Sequence, residues 1–175
     1  MYRLSIFLIL LMSCFLLSAQ TSKVVSGKTS FSIKYWAGTC DGSFDQIRGT
    51  VKFDSKNLAA SSINVTVPAS SFHTGNSMRD KDVKDEKYLN AAAHPTISFR
   101  SDNITFKGGS YYANGTLTIK GASRKISIPF KAEKRSDGGY NITSNFSLNR
   151  LDYKVGKDTK TMNNTVSLSI SAVIK

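Results

Sequence analysis

Cysteine is nearly absent from this chain: there are two, Cys14 and Cys40. Histidine is as scarce, with His73 and His94 alone. No helical His pair and no Cys–His cluster appears, so the spacing that builds a zinc site is missing, and no metal site is expected. A G-x-S-x-G elbow, a Gly-rich phosphate loop and a paired-carboxylate motif are missing too, which removes the usual sequence signs of catalysis. Acidic residues are few, 12 Asp and Glu against 24 Lys and Arg, for a formal net charge of +12. The excess is concentrated after Lys107. Such a field favours anionic surfaces, and a transient contact with an anionic membrane is one consequence. Nucleic acid is not expected as a partner, because the basic residues stand singly among Ser and Thr rather than between exposed aromatics.

Only one long apolar run exists. Met1-Tyr2-Arg3 precedes an apolar stretch from Leu4 to Leu17 that closes on Ser18-Ala19-Gln20. A basic start, a short apolar core and a small residue before a polar one read as a secretory signal peptide, residues 1–19, cut after Ala19. The run is short for a membrane span. Leu11-Met12-Ser13-Cys14 is a loose lipoprotein-type match, but the apolar run continues past it, so anchoring at Cys14 is the lesser reading. The expected location is therefore periplasmic or secreted, with residues 20–175 as one domain. Cleavage leaves Cys40 as a lone thiol, read as a half-buried residue at a strand edge. Without an internal disulfide the fold must be held by its core.

What the chain has in abundance is period-two alternation. Phe31, Ile33 and Tyr35 alternate with Ser30, Ser32 and Lys34, and Ile63, Val65 and Val67 with Asn64 and Thr66. The pattern returns at Ile97–Phe99, Leu117–Ile119, Ile126–Phe130, Ile142–Leu148 and Val166–Ile170. Strands with one dry and one wet face leave this mark. Turn sequences such as Lys107-Gly108-Gly109-Ser110 and Ser136-Asp137-Gly138-Gly139 punctuate it. The runs predict eight strands, near 29–36, 43–54, 61–68, 95–107, 110–120, 123–134, 139–150 and 163–174. Residues 76–93, charged and free of Gly and Pro, predict one or two short helices stopped by Pro95. The expected fold is all-β: an eight-stranded antiparallel up-and-down barrel with a short helical insert between strands 3 and 4. Closure removes exposed edges, and at eight strands the interior is either filled or holds one small ligand. Alternation alone leaves both open.

Three stretches narrow the choice. They are VKFDSKNLAASSINVTVPASSFHTGNSMRDKDVKDEKYLNAAAHPTISFRS at 51–101, GTLTIKGASRKISIPF at 115–130 and FSLNRLDYKVG at 146–156. The first carries an FD after a Gly-led strand, a V-x-V-x-A-x-S strand end, a T-G-N turn and an Arg-Asp pair. In order and spacing the chain resembles the YceI-like family of lipid- and polyisoprenoid-binding barrels. Tyr35 stands where many members have His. The resemblance implies a lipocalin-like barrel whose pocket takes a long amphiphile such as a polyprenyl phosphate or an isoprenoid quinone; neither a cofactor nor catalysis is expected. Two rivals remain, a filled barrel acting as a structural or interaction module and, less favoured, a secreted hydrolase. Oligomeric state stays open, a dimer included.

By register Phe31, Ile33, Val51, Phe53, Val65, Val67, Phe99, Leu117, Phe130, Phe146 and Leu168 should point inward, since a one-residue slip would bury Ser, Thr and Lys. Tyr35, Phe44, Phe72, Met78, Ile97, Ile119, Ile128 and Leu148 complete the candidate cavity lining. Arg79 is the headgroup candidate, because a guanidinium suits phosphate or carbonyl acceptors. The plainer reading of Arg79-Asp80 is favoured: it ties the insert to the barrel, with Asp80 capping a helix. His73 and His94 are read as surface loop residues.

Overall fold

The computed structural model describes residues 22–175; the expected signal peptide, residues 1–19, and with it Cys14 lie outside the described residues. Nine strands form one curled antiparallel sheet: β1 (Ser22–Tyr35), β2 (Gly38–Asp45), β3 (Arg48–Lys52), β4 (Ser62–Pro68), β5 (Thr96–Lys107), β6 (Ser110–Ile119), β7 (Ala122–Lys134), β8 (Tyr140–Asn149) and β9 (Met162–Ile174). One α-helix, α1 (Ser77–Lys84), lies between β4 and β5. Consecutive strands pair from β3 to β9, and β1 closes the sheet. One edge of β1 pairs with β9 from Val24↔Ile174 to Tyr35↔Met162. Its other edge pairs with β2 through Lys28–Tyr35 and then with β3 at Ser22↔Val51 and Lys23↔Thr50.

The expected architecture holds, with a corrected strand count. The single strand expected at 43–54 is two strands, and the first of them starts at Gly38, inside a segment read as loop. The break falls at Gln46, whose φ of 65° no strand accommodates. The sequence concealed β2 because it is short of apolar residues and holds three glycines in 38–49, two of them within β2. Its pairing comes from β1. Gly42 is the cross-strand partner of Phe31, and a Cβ there would sit 2.5 Å from both the Phe31 ring and the His73 carbonyl oxygen. The missing side chain lets the ring lie over the strand, while Ser43 and His73 exchange backbone hydrogen bonds at 2.8 and 2.9 Å.

Alternation becomes wall. Phe31, Leu168 and Phe146 form one cross-strand row through β1, β9 and β8, and Val65, Phe99 and Leu117 form another through β4, β5 and β6. The β7–β8 ladder is short, joining only Lys131–Lys134 to Tyr140–Thr143. It stops next to Pro129, which has no N–H to give. The Ser144 hydroxyl donates to the Pro129 carbonyl at 2.5 Å, and the 3₁₀ turn Arg150–Tyr153 packs on β7 beyond it.

One end of the barrel is plugged. Phe53 lies between Tyr111, Phe130 and Tyr140, with centroids 5.0, 5.6 and 5.1 Å away and rings crossed at 87°, 72° and 88°. Such edge-to-face packing adds to area burial. Truncation of Phe53 to alanine should therefore cost about 3–5 kcal/mol in stability. The urea midpoint measures it; an unchanged midpoint would show that the aromatic plug does not hold this end.

Candidate functional site

Between the plug and the opposite end the barrel is hollow. The cavity measures about 940 Å³, the upper part of the ~300–1,000 Å³ range of small-molecule sites. Its walls are the inward rows of the strands. Phe31, Ile33, Tyr35, Phe44, Val51, Val65, Val67, Phe72, Ile97, Phe99, Leu117, Ile119, Ile128, Phe130, Phe146, Leu148 and Leu168 all line it. Phe31, Phe44 and Phe72 pack together on one side, with Phe31 and Phe72 stacked at 5.0 Å and 20°. Phe53 does not line it. It follows the last residue of β3, and its ring is used up in the plug, so its place in the expected lining is corrected.

The open end is built by the β1–β2 hairpin, α1 and the segment after β8. Met78 and Arg79 of α1 reach the cavity, joined there by Trp36, Lys87 and Tyr88. Sequence reasoning missed Trp36, Cys40, Arg150, Tyr153, Val155 and Met162, all of which line it. Cys40 and Trp36 sit in or beside the strand that the sequence hid. Arg150, Tyr153 and Val155 belong to a turn whose motif was visible but whose inward direction was not.

The insert is fastened by polar contacts. Asn76, in extended conformation, caps α1 by accepting from the Arg79 N–H at 3.0 Å. Asp80 was expected to be the cap and is not. It lies within the first turn, buried, and its carboxylate turns back to the loop before the helix. One oxygen accepts from the Thr74 N–H at 2.9 Å and the Thr74 hydroxyl at 2.6 Å; the other meets His73 Nδ1 at 3.1 Å. Because His73 bridges to Ser43, this ties α1 to β2. His73 is thus a connecting residue with an exposed ring rather than a bystander. Arg79 supplies a second tie, its guanidinium donating to Cys40 Sγ at 3.0 Å. Cys40 is buried and has no disulfide partner among the described residues.

Arg150 is the buried cation of the wall. It donates to the carbonyls of Asn163, Val155 and Lys157 at 3.1, 2.8 and 2.8 Å and to the Asn164 side chain at 2.8 Å. Tyr153, at the other end of the same turn, has its phenol pKa pushed up by burial and then by Asp152, so it stays neutral. Among the described residues, no group of three or more His, Cys, Asp or Glu could hold a metal ion.

Residues 17–174 match the YceI-like domain. The chain belongs to that family. Among curated relatives, a UPF0312 protein of Pectobacterium atrosepticum is 33% identical over 96 residues. That match covers 55% of this chain and 50% of the relative, so the chain spans about half the length of that protein. Among solved structures, BcnA of Burkholderia cenocepacia superposes with a TM-score of 0.79 at 25% identity, covering 84% of this chain and 95% of the other. A polyisoprenoid-binding domain from Saccharophagus degradans, implicated in plant cell wall breakdown, superposes with a TM-score of 0.67 at 10% identity, covering 88% and 97%. At that identity it shows a shared fold.

The Asp80 contacts carry a pH signature. Burial pushes its pKa up, but the hydrogen bonds from Thr74 and His73 outweigh this and hold it below the ordinary carboxylate range. With the folded value below an unfolded one near ~3.9, the stabilisation is complete above that pH and lost as pH falls through the folded pKa. Asp80→Asn should cost about 1–3 kcal/mol at neutral pH. It should also flatten the loss of urea stability from about pH 5 to about pH 2. A variant with the wild-type acid profile would refute the depressed carboxyl.

Proposed function

We propose that this protein binds a long apolar amphiphile of the isoprenoid class inside the barrel and carries or stores it without chemical change. The cavity is the observation that carries the reading: an apolar tube of about 940 Å³, plugged at one end and open at the other. A filled structural barrel would have side chains meeting across the axis. Here, among the described residues, the aromatic pairs gather at the plug and in the Phe31–Phe44–Phe72 group. The Saccharophagus degradans neighbour is a polyisoprenoid-binding domain, and the same ligand class, extended to this chain, fits the cavity.

The polar groups argue for a carrier over a hydrolase. Ser144 and Arg150, two buried polar side chains of the wall, are spent on structural bonds, and the Cys40 sulfur accepts from Arg79. The Ser144 hydroxyl is committed to the Pro129 carbonyl, and Arg150 to three carbonyls and an amide. A carrier needs only a dry wall and an exit. Arg79, half-buried at the mouth, would meet a phosphate or carbonyl headgroup with the part of its fork that Cys40 leaves free. Location outside the cytoplasm, after removal of residues 1–19, belongs to the same proposal and suits a protein that shuttles lipid through water.

Affinity should then follow apolar length. Each methylene removed from the ligand should weaken binding by up to about 0.8 kcal/mol, roughly fourfold. Arg79→Ala should weaken it by less than roughly fivefold, because the group sits where water screens it. Leu117→Trp, which fills the lumen, should abolish binding in a protein that still unfolds cooperatively. Fluorescence titration with polyprenols of graded length reads the first two. Alkylation of Cys40, which lines the cavity, should slow when polyprenol is bound. Affinity independent of chain length, with Arg79→Ala alone eliminating it, would overturn the carrier reading in favour of a headgroup site.

A further inference from the structure

Three large apolar side chains are strongly exposed among the described residues: Trp36 at 81%, Met78 at 76% and Phe106 at 56%. Phe106 leans on Tyr111 beside the plug. The other two are at the cavity mouth and both line it. Trp36 stands at the tip of the β1–β2 hairpin and Met78 in the first turn of α1, on two separate elements framing one opening. A soluble barrel gains nothing by holding its most exposed Trp and Met at the entrance to an apolar tube. A protein that touches a bilayer does, since Trp favours the membrane–water interface.

Exposed lysines stand around these two residues. Lys34 precedes Trp36 by two residues. Lys160 adjoins Thr161, whose carbonyl accepts the Trp36 N–H at 2.9 Å. Lys81 lies one helical turn after Met78, and Lys84 one turn further. None of these four lysines lines the cavity, whereas Asp82, Asp85 and Lys87 do. Of the four, Lys34, Lys81 and Lys160 are exposed.

We infer that the open end of the barrel is a docking face for anionic phospholipid bilayers, with Trp36 and Met78 inserting at the interface and Lys34, Lys81 and Lys160 bound to the headgroups. This deepens the carrier reading and rests on it for its purpose: a docked mouth sets the tube against the phase from which an isoprenoid would enter without crossing water. The docking itself follows from the rim alone. A basic residue near an anionic surface contributes about fivefold in partitioning, and salt screens it. Apolar side chains then hold the face at the headgroup boundary.

Trp36 is the only tryptophan in the chain, so its emission reports on this rim alone. The experiment uses protein already saturated with polyprenol, so that lipid entering the cavity is not the cause of any change. Addition of phosphatidylglycerol-containing vesicles should shift Trp36 emission to the blue and expose it to quenching by brominated acyl chains. Phosphatidylcholine vesicles should do neither, and high salt should reverse the effect. Combined Lys34→Glu, Lys81→Glu and Lys160→Glu should lower vesicle co-sedimentation at least tenfold. That variant should still take up polyprenol delivered from cyclodextrin, read by protection of Cys40. Trp36→Ser should also lose co-sedimentation. Equal binding to neutral and anionic vesicles, or no loss in the charge-reversed variant, would overturn the inference. So would a blue shift that needs only higher protein concentration and no vesicles, which would assign the rim to a second copy of the chain. Failure of polyprenol uptake with docking intact would instead remove the carrier reading and leave the membrane face standing.

Discussion

Both edges of β1 are in use, and the hollow interior depends on it. Along Lys28–Tyr35 the strand is bonded to β9 on one side and β2 on the other, and its start continues the closure onto β3. An open sheet with so apolar a concave face would have to collapse onto something or expose its edges. Once the edges are joined, the backbone ladder keeps the walls apart. The interior then need not be filled for the fold to be defined. Atoms that line a hollow interior have fewer packing partners than those of a filled core, and an apolar molecule within it would supply them.

The molecule separates these demands in space. Phe53, Tyr111, Phe130 and Tyr140 supply at the plug the dense packing that the tube lacks. At the other end packing is replaced by polar fastening, with Asp80 on Thr74 and His73, and Arg79 on Cys40. Directional bonds can hold a helix over an opening without closing it, which apolar packing would do. Both fastenings converge on β2, the strand least visible in the sequence.

That contrast shows what the sequence could reveal. Rows such as Val65–Phe99–Leu117 were legible because a period-two pattern admits one register when one face is buried. β2 was not, because its position is set by a partner strand and by Gly42 yielding space to Phe31. Phe53 was assigned to the wall for the same reason that Val51 was: alternation fixes the face but not the height, and height separates lining from plug. Asp80 followed a capping pattern that Asn76, four residues earlier, satisfies in fact. The resemblance to a family supplied the hollow interior; periodicity had left hollow and filled barrels equal.

Arg150 shows how the hidden parts are linked. A guanidinium buried in an apolar wall is costly unless its donors are met, and lysine could not meet them with one fixed fork. Here the fork gathers carbonyls from Val155, Lys157 and Asn163 and the Asn164 amide, whose own nitrogen donates to Asp158 at 2.8 Å. The opposite charge therefore stands one side chain away, on the surface, where its own desolvation is small. This arrangement folds 154–161 back along the barrel end, where Thr161 accepts the Trp36 N–H. The position of the exposed tryptophan is thus set through a backbone bond to a segment that a buried arginine organises. The apolar rim is held out into solvent by polar contacts beneath it rather than left there by loose structure.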